Sequence, residues 1–143
     1  MFTTTLFILL SPVVAIIYGL VLIKLVLGSP AGNEKMRVIA CAIQDGAQAY
    51  LNRQYKTIAA VAIILFVVIG LARSLGWTMA IAFLLGAFLS ALAGYIGMNI
   101  SVRANVRTAE AAKVGMKQAL SVAVQGSSVT GMLVVGLALL GTA

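Results

Sequence analysis

The chain has 143 residues, of which 62% are hydrophobic and only 9% charged. Too few polar side chains exist to cover a globule, which excludes a water-solvated enzyme, a disordered tail and a free nucleic-acid binder; lipid must be the main solvent. Ten Lys and Arg against three Asp and Glu give a net charge of +7. On a multispanning membrane protein such an excess is what cytoplasmic loops carry, so no nucleic-acid partner is expected.

A hydrocarbon core about 30 Å thick needs roughly 20 apolar residues as helix. Four stretches qualify: an all-α membrane protein with four transmembrane helices is expected. The first runs from about Leu6 to Leu27, with Pro12 near its start and Lys24 near its end, able to snorkel to the headgroups. Its apolar run is too long for a cleaved signal, and no basic residue precedes it. The second, Thr57 to Ala72, is short but bounded by Lys56 and Arg73, which can snorkel as well. The third extends from about Trp77 to Ile100, with Trp77 and Tyr95 toward its ends as belt aromatics; the fourth runs from about Ala119 to Ala143.

The connections, residues 28–56 and 101–118, are basic. Lys35, Arg37, Arg53 and Lys56 lie in one and Arg103, Arg107, Lys113 and Lys117 in the other, whereas the middle connection offers Arg73. Both long loops are therefore expected in the cytoplasm, with both chain ends on the outer side. Neither is a slack linker. From Glu34 to Tyr55, Ile39, Ile43, Gly46 or Ala47, and Tyr50 recur at helical spacing while Gln44, Gln48 and Asn52 line another side, which predicts a helix running straight into the second span. Gly28 to Gly32 form the turn before it. Residues 103–118 similarly continue the third span, with Glu110 three residues from both Arg107 and Lys113 and able to pair with either.

Chemistry is sparse. A lone Cys41 excludes an intrachain disulfide, and there is no His. A metal would need Glu34, Asp45 or Glu110, which are far apart in sequence; no catalytic, cofactor-binding or metal-binding residue is assigned. Arg103 and Arg107, four apart, form a plausible phosphate fork, although topology and anionic-lipid contact explain them more simply. Gly86, Ser90 and Gly94 make a small-residue stripe on the third span, as Ser127 and Gly131 do on the fourth, which is a signal for helix packing. No span carries an intramembrane ionisable group of the kind ion carriers use.

Three segments carry a resemblance. Gln44-Asp45-Gly46-Ala47-Gln48-Ala49-Tyr50-Leu51-Asn52-Arg53-Gln54-Tyr55 resembles the Glu-Gly-Ala-x-Ala-Tyr-Leu-x-Arg-Gln-Tyr segment before the second span of membrane-integral, ion-translocating pyrophosphatases, with Asp45 in place of the usual Glu. Gly97 to Ala109 is similar to the cytoplasmic end of that family's third span, and Gly126 to Leu137, more loosely, to its fourth. The resemblance covers essentially the whole chain but only the first quarter of the family. It implies a larger bundle of about sixteen spans in the cell (inner) membrane, a homodimer, hydrolysis of magnesium pyrophosphate on the cytoplasmic side, and export of protons or sodium. The resemblance further implies magnesium held by acids of later spans, outside this chain, with potassium as a further cofactor of some members. This chain would be an inactive, outer part of such a pump. The alternatives are a free-standing four-span packing protein and, less in keeping with the missing intramembrane charge, an independent small transporter.

Overall fold

In a computed structural model, residues 2–72 and 76–142 are described, with side chains from Leu10 onward. Arg73, the one basic residue of the middle connection, lies outside the described residues, as does Ala143. Four helices follow one another: α1 (Phe2–Gly28), α2 (Glu34–Leu71), α3 (Gly76–Ala112) and α4 (Met116–Thr142). All four are long and apolar enough to cross a membrane. At 1.5 Å per residue, α2 with 38 residues and α3 with 37 reach about 55 Å, well beyond a bilayer core, whereas α1 and α4 with 27 each reach about 40 Å.

The expected helical extensions of the second and third apolar stretches are therefore present, each continuous with its stretch. Gly28 to Asn33 make the turn into α2. Gly32 sits at φ +80, in the left-handed region that favours glycine, and a Cβ there would lie 2.7 Å from Met36 Sδ. Asn33 then caps α2: its side-chain oxygen accepts from the Met36 amide at 3.0 Å, and Glu34 places negative charge in the first turn. Residues 113–115 form the turn between α3 and α4. We call the end carrying these two turns the basic end.

α3 is the central helix. It packs against α2 on one side and α4 on the other, and α1 packs mainly on α4 with a lighter contact to α3. The core is built from three helices: Leu22 and Val26 of α1, Ala93, Ile100 and Ala104 of α3, and Val129 and Leu133 of α4. α2 contributes nothing to that cluster and touches α3 alone, although it follows α1 in sequence.

Small residues set these distances, but not the ones the stripe suggested. A Cβ at Gly126 would lie 2.8 Å from that of Ala104, one at Gly97 2.7 Å from the Thr130 hydroxyl, and one at Gly136 2.8 Å from Ile16 Cγ1 and 3.1 Å from the Pro12 carbonyl. Gly86 and Gly131 face open space, and Ser90 is exposed; of the expected stripe, Gly94 alone makes a close approach, 3.0 Å from the Tyr55 hydroxyl. Spacing of four identifies a groove, and only the register of the neighbouring helix decides whether it is filled. Pro12 also differs from expectation. Because α1 begins at Phe2, the ring lies well inside the helix and is fully buried against α4. The missing donor is thus tolerated within a packed contact and not at a frayed end.

Candidate functional site

The two best-matched sequence segments meet face to face. Tyr55, at the end of the first, donates its hydroxyl hydrogen to the Ala91 carbonyl at 2.8 Å and packs edge-on against Tyr95, ring centres 5.8 Å apart. Gln48 lies two turns earlier on the same face of α2 and donates its amide to the Tyr95 hydroxyl at 3.0 Å. Asn99 donates to the Tyr95 carbonyl at 2.9 Å, and Leu51 is buried between these polar contacts. The polar side of the α2 extension is thus the side that packs on α3. Its apolar side is left open: Val38, Ile39, Ile43 and Tyr50 are each at least half exposed.

Arg107 performs a different task from either expected one. Its guanidinium donates to the carbonyls of Ser29 at 3.1 Å, Leu27 at 3.2 Å and Arg103 at 2.7 Å. Leu27 and Ser29 end α1, where helical carbonyls lack intrahelical partners and the helix dipole is negative. Arg107 therefore latches the C-terminus of α1 to α3. Burial, together with the neighbouring Arg103 charge, lowers its pKa from the ordinary arginine value. The i,i+3 pairing of Glu110 goes to Lys113 and not to Arg107; among the described residues this is the one ion pair. Glu110 is left beside the Gly32 turn, where a Cβ would lie 2.8 Å from its carboxylate oxygen.

Two polar recesses open between α2 and α3 at the basic end. One, of about 160 Å³, is lined by Gln44, Asp45, Gln48, Asn99 and Arg103. The second, of about 210 Å³, is lined by Arg37, Gln44, Arg103 and Arg107 with Ala31 at its mouth. Sequence reasoning paired Arg103 with Arg107 and missed Arg37, which reaches the cleft because α2 runs back along α3. The antiparallel direction was legible, but not the register that brings Arg37 level with Arg103.

The three acids do not fit a magnesium site. Glu110 is held by Lys113, Asp45 borders a recess shared with Arg103, and Glu34 lies in the first turn of α2. Among the described residues no three His, Cys, Asp or Glu side chains gather closely enough to hold a metal ion. What these contacts can do chemically is join helices and present positive charge.

The sequence profile described as "Inorganic H+ pyrophosphatase" matches residues 13–143, spanning all three quoted segments. The chain belongs to this family. It is 49% identical over 133 residues to a K(+)-insensitive pyrophosphate-energized proton pump of Methanosarcina mazei, covering 93% of this chain and 20% of that protein. Similarity to a protein of the same description from Caldanaerobacter subterraneus is 43% over 144 residues, covering 92% of this chain and 20% of the relative. A K(+)-stimulated pyrophosphate-energized sodium pump of Thermotoga maritima is 42% identical over 143 residues, covering 99% of this chain and 19% of that protein. The chain thus spans about a fifth of the length of these curated relatives. Family membership makes it a multi-pass membrane protein and one part of a larger helical assembly, as the four long helices had indicated.

Proposed function

We propose that these 143 residues form the scaffold-bearing N-terminal portion of a pyrophosphate-energised ion pump, and that the catalytic acids lie outside them. The carrying observation is the open apolar face of the α2 extension. Val38, Ile39 and Ile43 are 65%, 61% and 50% exposed, and they stand about 20 to 30 Å along the helix from Lys56, where the second expected span begins. Lipid does not reach side chains at that height, so further protein from the pump covers them. The names of the relatives support pyrophosphate as the energy source, and they include both proton and sodium pumps.

In this reading the two basic turns face the cytoplasm, because eight of the ten Lys and Arg lie in the connections, residues 28–56 and 101–118, that hold them. Both chain ends then lie on the outer side of the membrane. Magnesium ions, which neutralise the diphosphate and lower the pKa of an attacking water, are bound by carboxylates beyond these residues, and the whole pump is a homodimer. The test is pyrophosphate-dependent ion uptake. Inverted vesicles carrying the product of the whole natural gene should accumulate protons or radioactive sodium on addition of magnesium and pyrophosphate. Vesicles that hydrolyse no pyrophosphate and accumulate neither ion would rule this reading out and favour a free-standing packing protein.

A further inference from the structure

Beyond the pump reading, the cleft of about 210 Å³ between α2 and α3 has an unbalanced charge. Arg37, Arg103 and Arg107 all line it, and no carboxylate shares its lining. Like charges gathered around one small cavity repel unless an anion compensates them. Arg107 is held by three carbonyls, which use three of its five N–H donors, so it acts as a fixed positive charge in the lining. Lys113–Glu110 is the one ion pair among the described residues, so neither Arg37 nor Arg103 is paired, although Asp45 borders the recess next to Arg103. Both project from helices, on opposite walls of the cleft, and Gln44 between them adds a neutral amide donor.

We propose that this cleft binds a phosphate group, with Arg37 and Arg103 as a two-sided guanidinium clamp and Gln44 as a third donor. A planar guanidinium offers two parallel N–H bonds to a multi-oxygen anion, and two of them satisfy a phosphate in a way that a single carboxylate does not require. The ligand's phosphate chemistry is shared by an anionic lipid headgroup and by free phosphate from the aqueous side. Asp45 opposes binding from the adjoining recess, where it competes for Arg103.

The experiment uses the product of the whole natural gene and separates the two sources. In one arm, immobilised spin-labelled phosphatidylglycerol is counted in vesicles of phosphatidylcholine with one-fifth phosphatidylglycerol. In the other, radioactive inorganic phosphate is measured by equilibrium dialysis against protein in phosphatidylcholine nanodiscs. One arm should show saturable binding that Arg37→Gln with Arg103→Gln weakens about tenfold or more, whereas Lys35→Gln with Lys117→Gln, an equal loss of charge outside the cleft, changes it less than about twofold. Arg37→Lys with Arg103→Lys keeps the charge and should recover binding only in part; Asp45→Asn should tighten it. Should the Gln pair fail to fold, the Lys pair and Asp45→Asn carry the test alone. Absence of saturable binding in both arms, or binding indifferent to the Gln pair, the Lys pair and Asp45→Asn alike, overturns the proposal. Pyrophosphate hydrolysis is scored on the same samples, so failure of the pump reading is seen separately from failure of the site.

Discussion

Arg107 shows how one residue can be correctly noticed and wrongly employed. Its charge and its spacing from Arg103 and Glu110 were visible in the sequence, but the three carbonyls it serves lie on two helices, and two of them are about 80 positions away. Nothing local distinguishes a guanidinium that pairs along its own helix from one that caps another. Hydrogen bonds from a charged donor contribute roughly 1.5 to 3 kcal/mol each when their loss leaves partners unmet. Since the site is only partly buried, Arg107→Ala should lower stability by about 2 kcal/mol, read as the midpoint of unfolding in mixed micelles, and Arg107→Lys should recover less than half. Glycines are the second residue-scale lesson. Gly126→Ala drives a Cβ to within 2.8 Å of the Ala104 Cβ, both fixed to helix backbones, so α3 and α4 must part; a cost of about 1 to 3 kcal/mol is expected. The adjacent Ser127→Ala removes only an exposed bond to its own helix, at the Ala123 carbonyl, and should stay within about 0.5 kcal/mol. Equal effects of the two would mean that α3 and α4 do not meet at this point.

At the scale of the element, the sequence was most informative where periodicity and charge agree. The four apolar stretches lie in helices, and the turn at residues 28–32 and the helical continuation of the second and third stretches appear in the structure, the latter ending at Ala112 where the expectation ran to residue 118. Which face of the α2 extension packs was not legible, because the usual rule sends apolar residues inward. Here Gln48 and Tyr55 bind α3, and Ile39 and Ile43 stand open. That arrangement accords with the proposal that other parts of the pump cover this helix. Sidedness belongs to the same scale, since it follows from how charge is divided among the connections. With Cys41→Ser removing the native thiol, a single cysteine introduced as Ser74→Cys should react with an impermeant maleimide added outside intact cells. Lys113→Cys should react only after permeabilisation. The opposite pattern would place the basic turns outside and reverse the orientation of all four helices.

For the whole molecule, the accessible surface of 9624 Å² exceeds the roughly 7,000 Å² expected of a compact soluble chain of 14.8 kDa. α2 supplies much of that excess, with just Ala40, Leu51 and Gly70 buried along its described length. A helix so poorly covered is stable in lipid over its span but needs protein beyond it, in keeping with a chain that is about a fifth the length of its relatives. The proposed division of labour rests on composition, because three dispersed acids cannot surround a magnesium diphosphate. The partner surfaces were not, since their register is set by helices that the sequence does not include. The central claim is that this chain supports a pyrophosphate-driven pump without performing its chemistry. Phosphate release from magnesium pyrophosphate, measured on the purified 143 residues in lipid beside the product of the whole natural gene, tests it most directly. The account predicts turnover by the whole product and none above background by the 143 residues. Turnover by the 143 residues alone would contradict it, as would a whole gene product that leaves pyrophosphate intact.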